Sequence, residues 1–243
     1  MRVLHIIVPM AGEGSRFVKE GYSIPKPLIE YERKMLFKRA VDSLSELDVP
    51  KKYSFIVRQE HIDNFNIDNI IKSYYPKATV FSVSKTTRGA IETCLMAISA
   101  IEVEDAILIM DCDIEFYSSQ YNKSIVENLK ELVNNVNGGM IVSFNADLSK
   151  YSYAEVDENG IVIRTAEKEV ISNNALCGAY YFSKSEGFLS SAMELMNDTG
   201  FNKPEYYVSL LYNILIKRGE KVRLIKLDEY KSYGTPEELK AHL

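Results

Sequence analysis

The chain of 243 residues is 46% hydrophobic, so it is long and apolar enough to bury a core without disulfide bonds, and one domain is the first expectation. Its 34 acidic residues outnumber 29 basic ones, and the net charge of −5 argues against general binding of nucleic acid. The three cysteines are odd in number and widely spaced, which argues against a disulfide framework or a zinc site and predicts a reducing, cytoplasmic location. No apolar run approaches the ~18 residues of a membrane span, so we expect no membrane partner.

Residues 1–145 alternate predicted strands with predicted helices. The strands are continuous apolar runs, which is typical of a sheet covered on both faces. Alternation of this kind predicts an α/β fold with a Rossmann-like, doubly wound, mostly parallel mixed sheet, whose ligands bind at the carboxyl ends of its strands. The predicted strands are Val3–Val8, Tyr53–Val57, Ala78–Val83, Ala106–Met110 and Gly139–Phe144, and the predicted helices are Met35–Leu47, Ile62–Ser73, Ala90–Ile101 and Ser118–Asn134.

The regular alternation of predicted strands and helices stops after about residue 145, and we interpret residues 146–243 as an extension of the same domain. Tyr153–Asp157 and 161–165 predict a β-hairpin that turns at Asn159-Gly160, and Ala175–Phe182 predicts another strand. Two capping boxes predict helix starts, one at Ser183 with Glu186 and one at Thr235 with Pro236-Glu237-Glu238.

The loop after the first predicted strand is rich in small residues and carries two cations. Gly12 and Gly14 allow the backbone to approach a ligand and direct N–H groups at it, while Arg16 and Lys26 match the charge of a polyphosphate. Lys26 stands between two prolines, which restrict its backbone. The loop therefore predicts a nucleoside triphosphate site, although an ordinary strand-to-helix turn with two surface cations would give the same residues. It is not a Walker A loop, because the pattern G-x-x-x-x-G-K-[S/T] is absent. It is not a dinucleotide fingerprint either, because Phe17 stands where the third glycine is needed.

Two further polar segments fall at predicted carboxyl ends of strands. Thr86–Ala90 follows the third strand, and Asp111-Cys112-Asp113 follows the fourth. Magnesium prefers one or two carboxylates together with phosphate oxygens and water, so Asp111 and Asp113 are candidate ligands. The alternative is a strand-end turn with solvated carboxylates.

These motifs, in their order along most of the chain, resemble the sugar-phosphate nucleotidylyltransferases (nucleotide-sugar pyrophosphorylases). The resemblance is strongest to the branch associated with bacterial capsular polysaccharide synthesis. The blocks that carry it are Pro9-Met10-Ala11-Gly12 with Gly14-Ser15-Arg16-Phe17, Pro25-Lys26-Pro27-Leu28, Thr87-Arg88-Gly89-Ala90, Asp111-Cys112-Asp113, Ala166-Glu167-Lys168, Gly178-Ala179-Tyr180-Tyr181-Phe182, Glu205-Tyr206-Tyr207 and Gly234-Thr235-Pro236-Glu237.

The resemblance implies transfer of a nucleoside monophosphate from an NTP to a small phosphorylated acceptor, such as a sugar 1-phosphate, with release of pyrophosphate. Arg16 would hold the leaving pyrophosphate and Lys26 the α-phosphate, because guanidinium and ammonium groups suit these tasks. Asp113 would bind Mg²⁺, and Asp111 stands where relatives more often have an amide or a small residue. The implied catalytic residues are Arg16, Lys26 and Asp113, and the implied metal ligands are Asp113 and Asp111.

The same resemblance assigns residues to the two substrates. Glu167 would accept hydrogen bonds from acceptor hydroxyls, and Lys168 would bind the acceptor phosphate. The implied nucleotide-binding residues are Met10, Ala11, Gly12, Gly14, Ser15, Thr87, Gly89 and Ala90, and the implied acceptor-binding residues are Glu167, Lys168, Gly178 and Glu205. Relatives often place a second metal-binding aspartate where this chain has Ser232, and Asp228 lies nearby in sequence.

Two other functions fit parts of the pattern. A glycosyltransferase that uses a nucleotide-sugar donor can also carry an Asp-x-Asp motif at a strand end, but Arg16 and Lys26 suit a triphosphate better. A non-catalytic nucleotide-binding protein is the second alternative. The sequence leaves open the base (CTP, UTP, dTTP or GTP), the acceptor (a hexose, heptose, polyol or other small phosphate) and the oligomeric state.

Overall fold

A computed structural model describes residues 1–131 and 136–242. The apolar runs form strands and the amphipathic stretches form helices on both sides of them. The strands are β1 (Leu4–Met10), β2 (Glu30–Tyr31), β3 (Lys34–Met35), β4 (Lys51–Arg58), β5 (Thr79–Val83), β6 (Ala106–Met110), β7 (Ile114–Tyr117), β8 (Gly139–Asn145), β9 (Ser152–Val156), β10 (Val162–Glu167), β11 (Asn174–Phe182), β12 (Val222–Lys226) and β13 (Glu229–Ser232). The α-helices are α1 (Ser15–Lys19), α2 (Leu36–Asp42), α3 (Gln59–Phe65), α4 (Ile67–Tyr74), α5 (Ala90–Leu95), α6 (Ser119–Leu129), α7 (Ser185–Met196), α8 (Leu211–Lys217) and α9 (Pro236–Lys240).

Nine of these strands form one mixed sheet with the path β10-β9-β11-β6-β1-β4-β5, which β8 and β12 join through β11. Strands β6, β1, β4 and β5 are parallel, so their carboxyl ends lie along one edge. Strand β11 runs antiparallel beside β6 and brings the later part of the chain to the same edge. The predicted α/β fold with a mixed, doubly wound sheet is confirmed.

Apolar side chains fill the space on both faces of the sheet. Leu4, Ile6 and Val8 of β1 face one layer, and Ile7 of the same strand faces the other. This alternation on a strand that is buried throughout explains why its sequence is a continuous apolar run. All three cysteines are free, in agreement with the predicted absence of a disulfide framework, and all three are buried. No helix in the described part of the chain has the length and apolar character needed to cross a membrane.

Helices form at all four predicted positions, but they are shorter than predicted or interrupted. The stretch predicted as one helix over Ile62–Ser73 is two helices, α3 and α4, because Asn66 adopts a left-handed conformation with φ of 50° between them. Helices α2 and α5 also stop before their predicted ends, at Asp42 and Leu95. Residues 132–134 of the helix predicted over Ser118–Asn134 lie outside the described residues.

One of the two predicted capping boxes is wrong. Helix α7 begins at Ser185, and the hydroxyl of Ser183 donates to the carbonyl of Val136 at 2.8 Å instead of capping the helix. A contact distant in sequence has therefore replaced the local one. The second box is confirmed, because Thr235 accepts a hydrogen bond from the backbone N–H of Glu238 at the start of α9.

Candidate active site

The glycine loop leaves β1 and immediately starts α1. Gly14 is the residue before α1 and has φ of 61°, a left-handed conformation that glycine adopts without cost. Its carbonyl accepts the N–H of Phe17 at 2.9 Å. A Cβ at Gly14 would lie 3.4 Å from the Cβ of Lys26, so the loop packs directly against the lysine that the two prolines constrain.

The glycine loop lines a cavity of about 540 Å³, here called the glycine-loop cavity. Its wall is formed at the carboxyl ends of β1, β5 and β6, as expected for ligands of a parallel sheet. The sequence-predicted residues on this wall are Ala11, Gly12, Gly14, Ser15, Lys26, Thr87, Gly89, Ala90, Asp111, Asp113 and Glu205.

A second cavity of about 280 Å³, here called the tyrosine cavity, adjoins the first. Four tyrosines line it, namely Tyr151, Tyr180, Tyr207 and Tyr230. The sequence-predicted residues on its wall are Arg16, Ala90, Asp111, Asp113, Glu167 and Gly178. Ala90, Asp111 and Asp113 belong to both walls, so the two carboxylates stand where the cavities meet.

Some predicted residues lie elsewhere than the sequence placed them. Met10 is buried in the core at 2% exposure and lines neither cavity. Lys168 also lines neither cavity, and its Nζ donates to the hydroxyl of Tyr207 at 2.8 Å. Glu205, predicted for the acceptor, is on the glycine-loop cavity, and Arg16, predicted for the pyrophosphate, is on the tyrosine cavity.

Lys26 and Asp113 form an ion pair at the junction, with 2.8 Å between Nζ and Oδ2. Burial favours loss of the lysine proton, but the attraction of Asp113 outweighs it and raises the pKa of Lys26. Lys26 is therefore charged at neutral pH. An ammonium group has three donors, so two remain for a ligand. Arg16 is exposed and its side chain makes no ion pair or hydrogen bond within residues 1–131 and 136–242, so it too can bind an anion.

Asp111 owes its position to a bulge in β11. Pairing between β11 and β8 shifts register between Leu176 and Tyr180, and Gly178 there has φ of 93°. The carbonyl of Gly178 accepts the N–H of Asp111 at 2.9 Å, and a side chain at 178 would collide with the Asp111 carboxylate. Burial, with repulsion from Asp113, raises the pKa of Asp111 to about 7.

Glu167 lies at the end of β10, on the wall of the tyrosine cavity, and is 8% exposed. Its Oε2 accepts from the hydroxyls of Ser152 and Ser209, the latter at 2.9 Å, while Oε1 has no hydrogen-bond partner among the described residues. Burial raises the pKa of Glu167 against the opposing effect of the two hydroxyls.

The Thr86–Ala90 loop is joined to the later part of the chain by backbone hydrogen bonds on both sides of Gly89. The N–H of Tyr206 donates to the carbonyl of Arg88 at 2.9 Å, and the carbonyl of Tyr206 accepts the N–H of Ile91 at 3.1 Å. A Cβ at Gly89, which has φ of 142°, would lie 2.5 Å from the Tyr206 nitrogen. Only glycine allows this close approach.

Residues 6–204 match the family model described as nucleotidyl transferase, and this span is most of the chain. The chain belongs to the nucleotidyl transferase family. No curated protein matches the sequence of this nucleotidyl transferase.

Solved structures share the fold of this nucleotidyl transferase at low sequence identity. A nucleoside-diphosphate-sugar pyrophosphorylase from Vibrio cholerae RC9 is 24% identical, with 97% of this chain and 98% of that chain covered and a TM-score of 0.82. The inositol-1-phosphate CTP transferase from T. maritima is 14% identical, with 96% and 90% covered and a TM-score of 0.72. A UDP-glucose pyrophosphorylase from Acinetobacter baumanii is 15% identical, with 98% and 91% covered and a TM-score of 0.70.

Asp111 and Asp113 are the residues of this nucleotidyl transferase that could hold a divalent ion. Two carboxylates at the junction of the two cavities fit Mg²⁺, which takes its remaining ligands from phosphate and water. The described residues contain no group of three or more His, Cys, Asp or Glu side chains placed to hold a metal. A site here would therefore need the oxygens of a substrate to complete it.

The position at which the sequence resemblance implies a second metal-binding aspartate is Ser232 in this chain. Ser232 donates to Oε2 of Glu238 at 2.7 Å, and Asp228 instead accepts the N–H of Ser119 at the start of α6. A Cβ at Gly234 would lie 3.2 Å from both Asp113 Oδ2 and Glu238 Oε2, so Glu238 faces Asp113 across this glycine. Lys150 pairs with the other oxygen of Glu238.

Several residues of the tyrosine cavity were missed by the sequence analysis. Three of them lie in a segment without a recognisable motif, namely Lys150, Tyr151 and Ser152. This segment lines the cavity because β9 pairs with β10 and β11. Glu238 follows the Gly234-Thr235-Pro236-Glu237 block, and that proximity is the signal that could have found it.

Proposed function

We propose that this nucleotidyltransferase transfers NMP from an NTP to a small phosphorylated acceptor, such as a sugar 1-phosphate, and releases pyrophosphate. The observation that carries the proposal is the pair of adjoining cavities that share Asp111 and Asp113. One cavity has the glycine loop and Lys26 for a triphosphate, and the other is separate space for an acceptor. Such an arrangement favours a two-substrate transfer over the binding of a nucleotide alone.

The bond changes are those of an in-line displacement at the α-phosphorus. An oxygen of the acceptor phosphate forms the new bond to this phosphorus, and the bond to the α–β bridging oxygen breaks, so that pyrophosphate leaves with that oxygen. A phosphate monoester has a second pKa of about 6 and is mostly dianionic at neutral pH, so the nucleophile needs no general base. His5 does not serve as such a base, because it is buried in the core, bonds Ser54 at 2.8 Å and lines neither cavity.

The residues of the chain then position the reactants and balance their charge. The backbone of Gly12 and Gly14 binds the triphosphate, and the free guanidinium of Arg16 binds phosphate oxygens. Lys26, held by Asp113 at 2.8 Å, directs its remaining donors at the α-phosphate. The Thr86–Ala90 loop holds the nucleoside, and Glu167 and Gly178 shape the acceptor space. Mg²⁺ held by Asp113 and Asp111 would neutralise phosphate charge in this site.

We also propose that the product is an activated precursor for a capsular or other surface polysaccharide. The support is the order of the sequence motifs, which resembles the capsular branch of the pyrophosphorylases. A glycosyltransferase remains the second candidate, because Asp111-Cys112-Asp113 is also an Asp-x-Asp motif at a strand end.

A matrix assay tests the proposal. Each of the common NTPs is incubated with Mg²⁺ and a set of sugar phosphates, and pyrophosphate is detected. Release of pyrophosphate that depends on both substrates would support nucleotidyl transfer. If pyrophosphate never forms while a nucleotide-sugar donor loses its sugar to an acceptor, the enzyme is a glycosyltransferase and the proposal fails.

A further inference from the structure

The charges on the wall of the tyrosine cavity are unbalanced. Six charged side chains line it, four carboxylates (Asp111, Asp113, Glu167 and Glu238) and two cations (Arg16 and Lys150). Two of the carboxylates have ion-pair partners, since Lys26 pairs with Asp113 and Lys150 pairs with Glu238. Arg16 is left to bind phosphate. In the described part of the chain, Asp111 and Glu167 have no ion-pair partner.

Glu167 is the more informative of these two carboxylates because it lines only the tyrosine cavity, whereas Asp111 also lines the glycine-loop cavity with Lys26. It is 8% exposed, and both of its serine donors bond the same oxygen, Oε2. The other oxygen belongs to a residue on the cavity wall and has no donor from the described residues. A buried carboxylate without an ion-pair partner is costly, and the charge of the neighbouring Lys168 offsets only part of that cost. An ammonium group of a ligand within hydrogen-bond distance would offset more of it than a neutral hydroxyl.

The aromatic surroundings also suit a cation. Two tyrosines of this cavity already have a lysine near the ring: Lys150 Nζ, on the cavity wall, is 4.8 Å from the centroid of Tyr151, and Lys168 Nζ, outside the wall, is 4.9 Å from that of Tyr207. Both distances are within the ~6 Å range of a favourable cation–π contact. Tyr180 and Tyr230 also line this cavity and add further aromatic surface to its wall.

We infer that the acceptor is a phosphate ester that carries an ammonium group, which binds beside Glu167 among the tyrosines. The inference rests on the proposed function, because that function fixes where the acceptor phosphate lies. The phosphate is at the junction with Arg16 and Lys26, so the other end of the acceptor meets the unpaired carboxylate. An amino sugar phosphate and a small aminoalkyl phosphate both belong to this class. A volume of about 280 Å³ limits the acceptor to a small molecule.

Matched pairs of phosphate esters test the inference in the NTP and pyrophosphate assay. One pair is glucosamine 1-phosphate and glucose 1-phosphate, and the other is 2-aminoethyl phosphate and 2-hydroxyethyl phosphate. We expect kcat/KM to be higher for the ammonium member of at least one pair, by on the order of tenfold. Preference for the neutral member in both pairs, or equal use, would overturn the inference and leave nucleotidyl transfer intact.

Variants separate charge recognition from shape. Glu167→Gln keeps the size and the serine contacts and should remove most of the ammonium preference, while kcat/KM for the neutral ester changes less. Glu155→Gln is the matched control, because Glu155 pairs with Arg164 at the surface and lines neither cavity, and it should behave as the unaltered enzyme. An ammonium preference that persists in Glu167→Gln would refute the role of this carboxylate.

If nucleotides bind but none of the four esters is used, calorimetric titration of the same esters onto the enzyme with a non-hydrolysable NTP replaces turnover. Tighter binding of the ammonium member would support the inference, and equal or absent binding would overturn it. Failure of every NTP to bind would instead show that the proposed function is wrong, and the inference would fail with it.

Discussion

Replacement of Lys26 by alanine should reduce turnover far more than nucleotide affinity. Its ammonium group is 2.8 Å from Asp113 and its side chain is 24% exposed, so it acts in a partly desolvated site. At an effective dielectric constant of ~20, two unit charges about 4 Å apart interact by about 4 kcal/mol, which is an upper limit for the contact with the developing charge. Loss of one donor to a transition state typically costs about 10²- to 10³-fold in rate, and we expect that reduction in kcat.

The nucleotide should still bind, because the glycine loop and Thr86–Ala90 remain, and its Kd should rise less than about tenfold. Kcat is measured by pyrophosphate release and Kd by equilibrium titration. Lys19→Ala removes an exposed lysine from α1 and is the matched control. Thermal unfolding shows whether the variant is folded, since Asp113 loses its partner. A kcat within about threefold of the unaltered enzyme would refute the assignment of Lys26.

Three further predictions concern the metal and the fold. Asp113→Asn should shift the magnesium dependence of pyrophosphate release to higher concentration, and an unchanged titration curve would argue against this ligand. Gly89→Ala should lower the free energy of unfolding in urea by more than about 2 kcal/mol, because its Cβ would lie 2.5 Å from the Tyr206 nitrogen. Gly160→Ala is its control, since that glycine has φ of 74° and no atom within 4 Å of a Cβ, and should lose only about 1 kcal/mol. Arg39→Met should cost about 3 kcal/mol of unfolding free energy, because the 8% exposed guanidinium bonds Glu115 at 3.0 Å; an unchanged urea midpoint would contradict this.

Local patterns predict the part of the site that the parallel strands form. The run Ala106–Met110 is buried on both faces and ends where Asp111 begins, so the same residues mark both the strand and its functional end. The glycine loop is similarly local, because Gly12, Gly14 and Lys26 follow β1 within one short segment. In such cases the strand and the residues it positions are neighbours in sequence.

The tyrosine cavity could not be predicted in this way because its wall comes from distant segments. Lys150 and Glu238 meet across 88 residues of sequence, and although Glu238 belongs to a capping box, no pattern predicts that it contacts Lys150. The bulge at Gly178 was not predicted, because an isolated glycine within a strand only suggests a bulge and the pairing of β11 with β8 determines it. Two helix boundaries were mispredicted for related reasons. The left-handed backbone of Asn66 ends α3, and the hydroxyl of Ser183 bonds Val136 instead of capping α7. A helical sequence pattern contains neither piece of information.

The docking of Tyr206 against Gly89 has a consequence for engineering the enzyme. Tyr206, which directly precedes Tyr207 on the wall of the tyrosine cavity, shares two backbone hydrogen bonds with the loop on the nucleotide side. A chimera that imported residues around 206 from a relative would therefore misfit at 88–91 unless both segments were exchanged together. Directed evolution towards a new sugar should accordingly recover paired changes in these two stretches, and a library that randomises either one alone should yield few active clones.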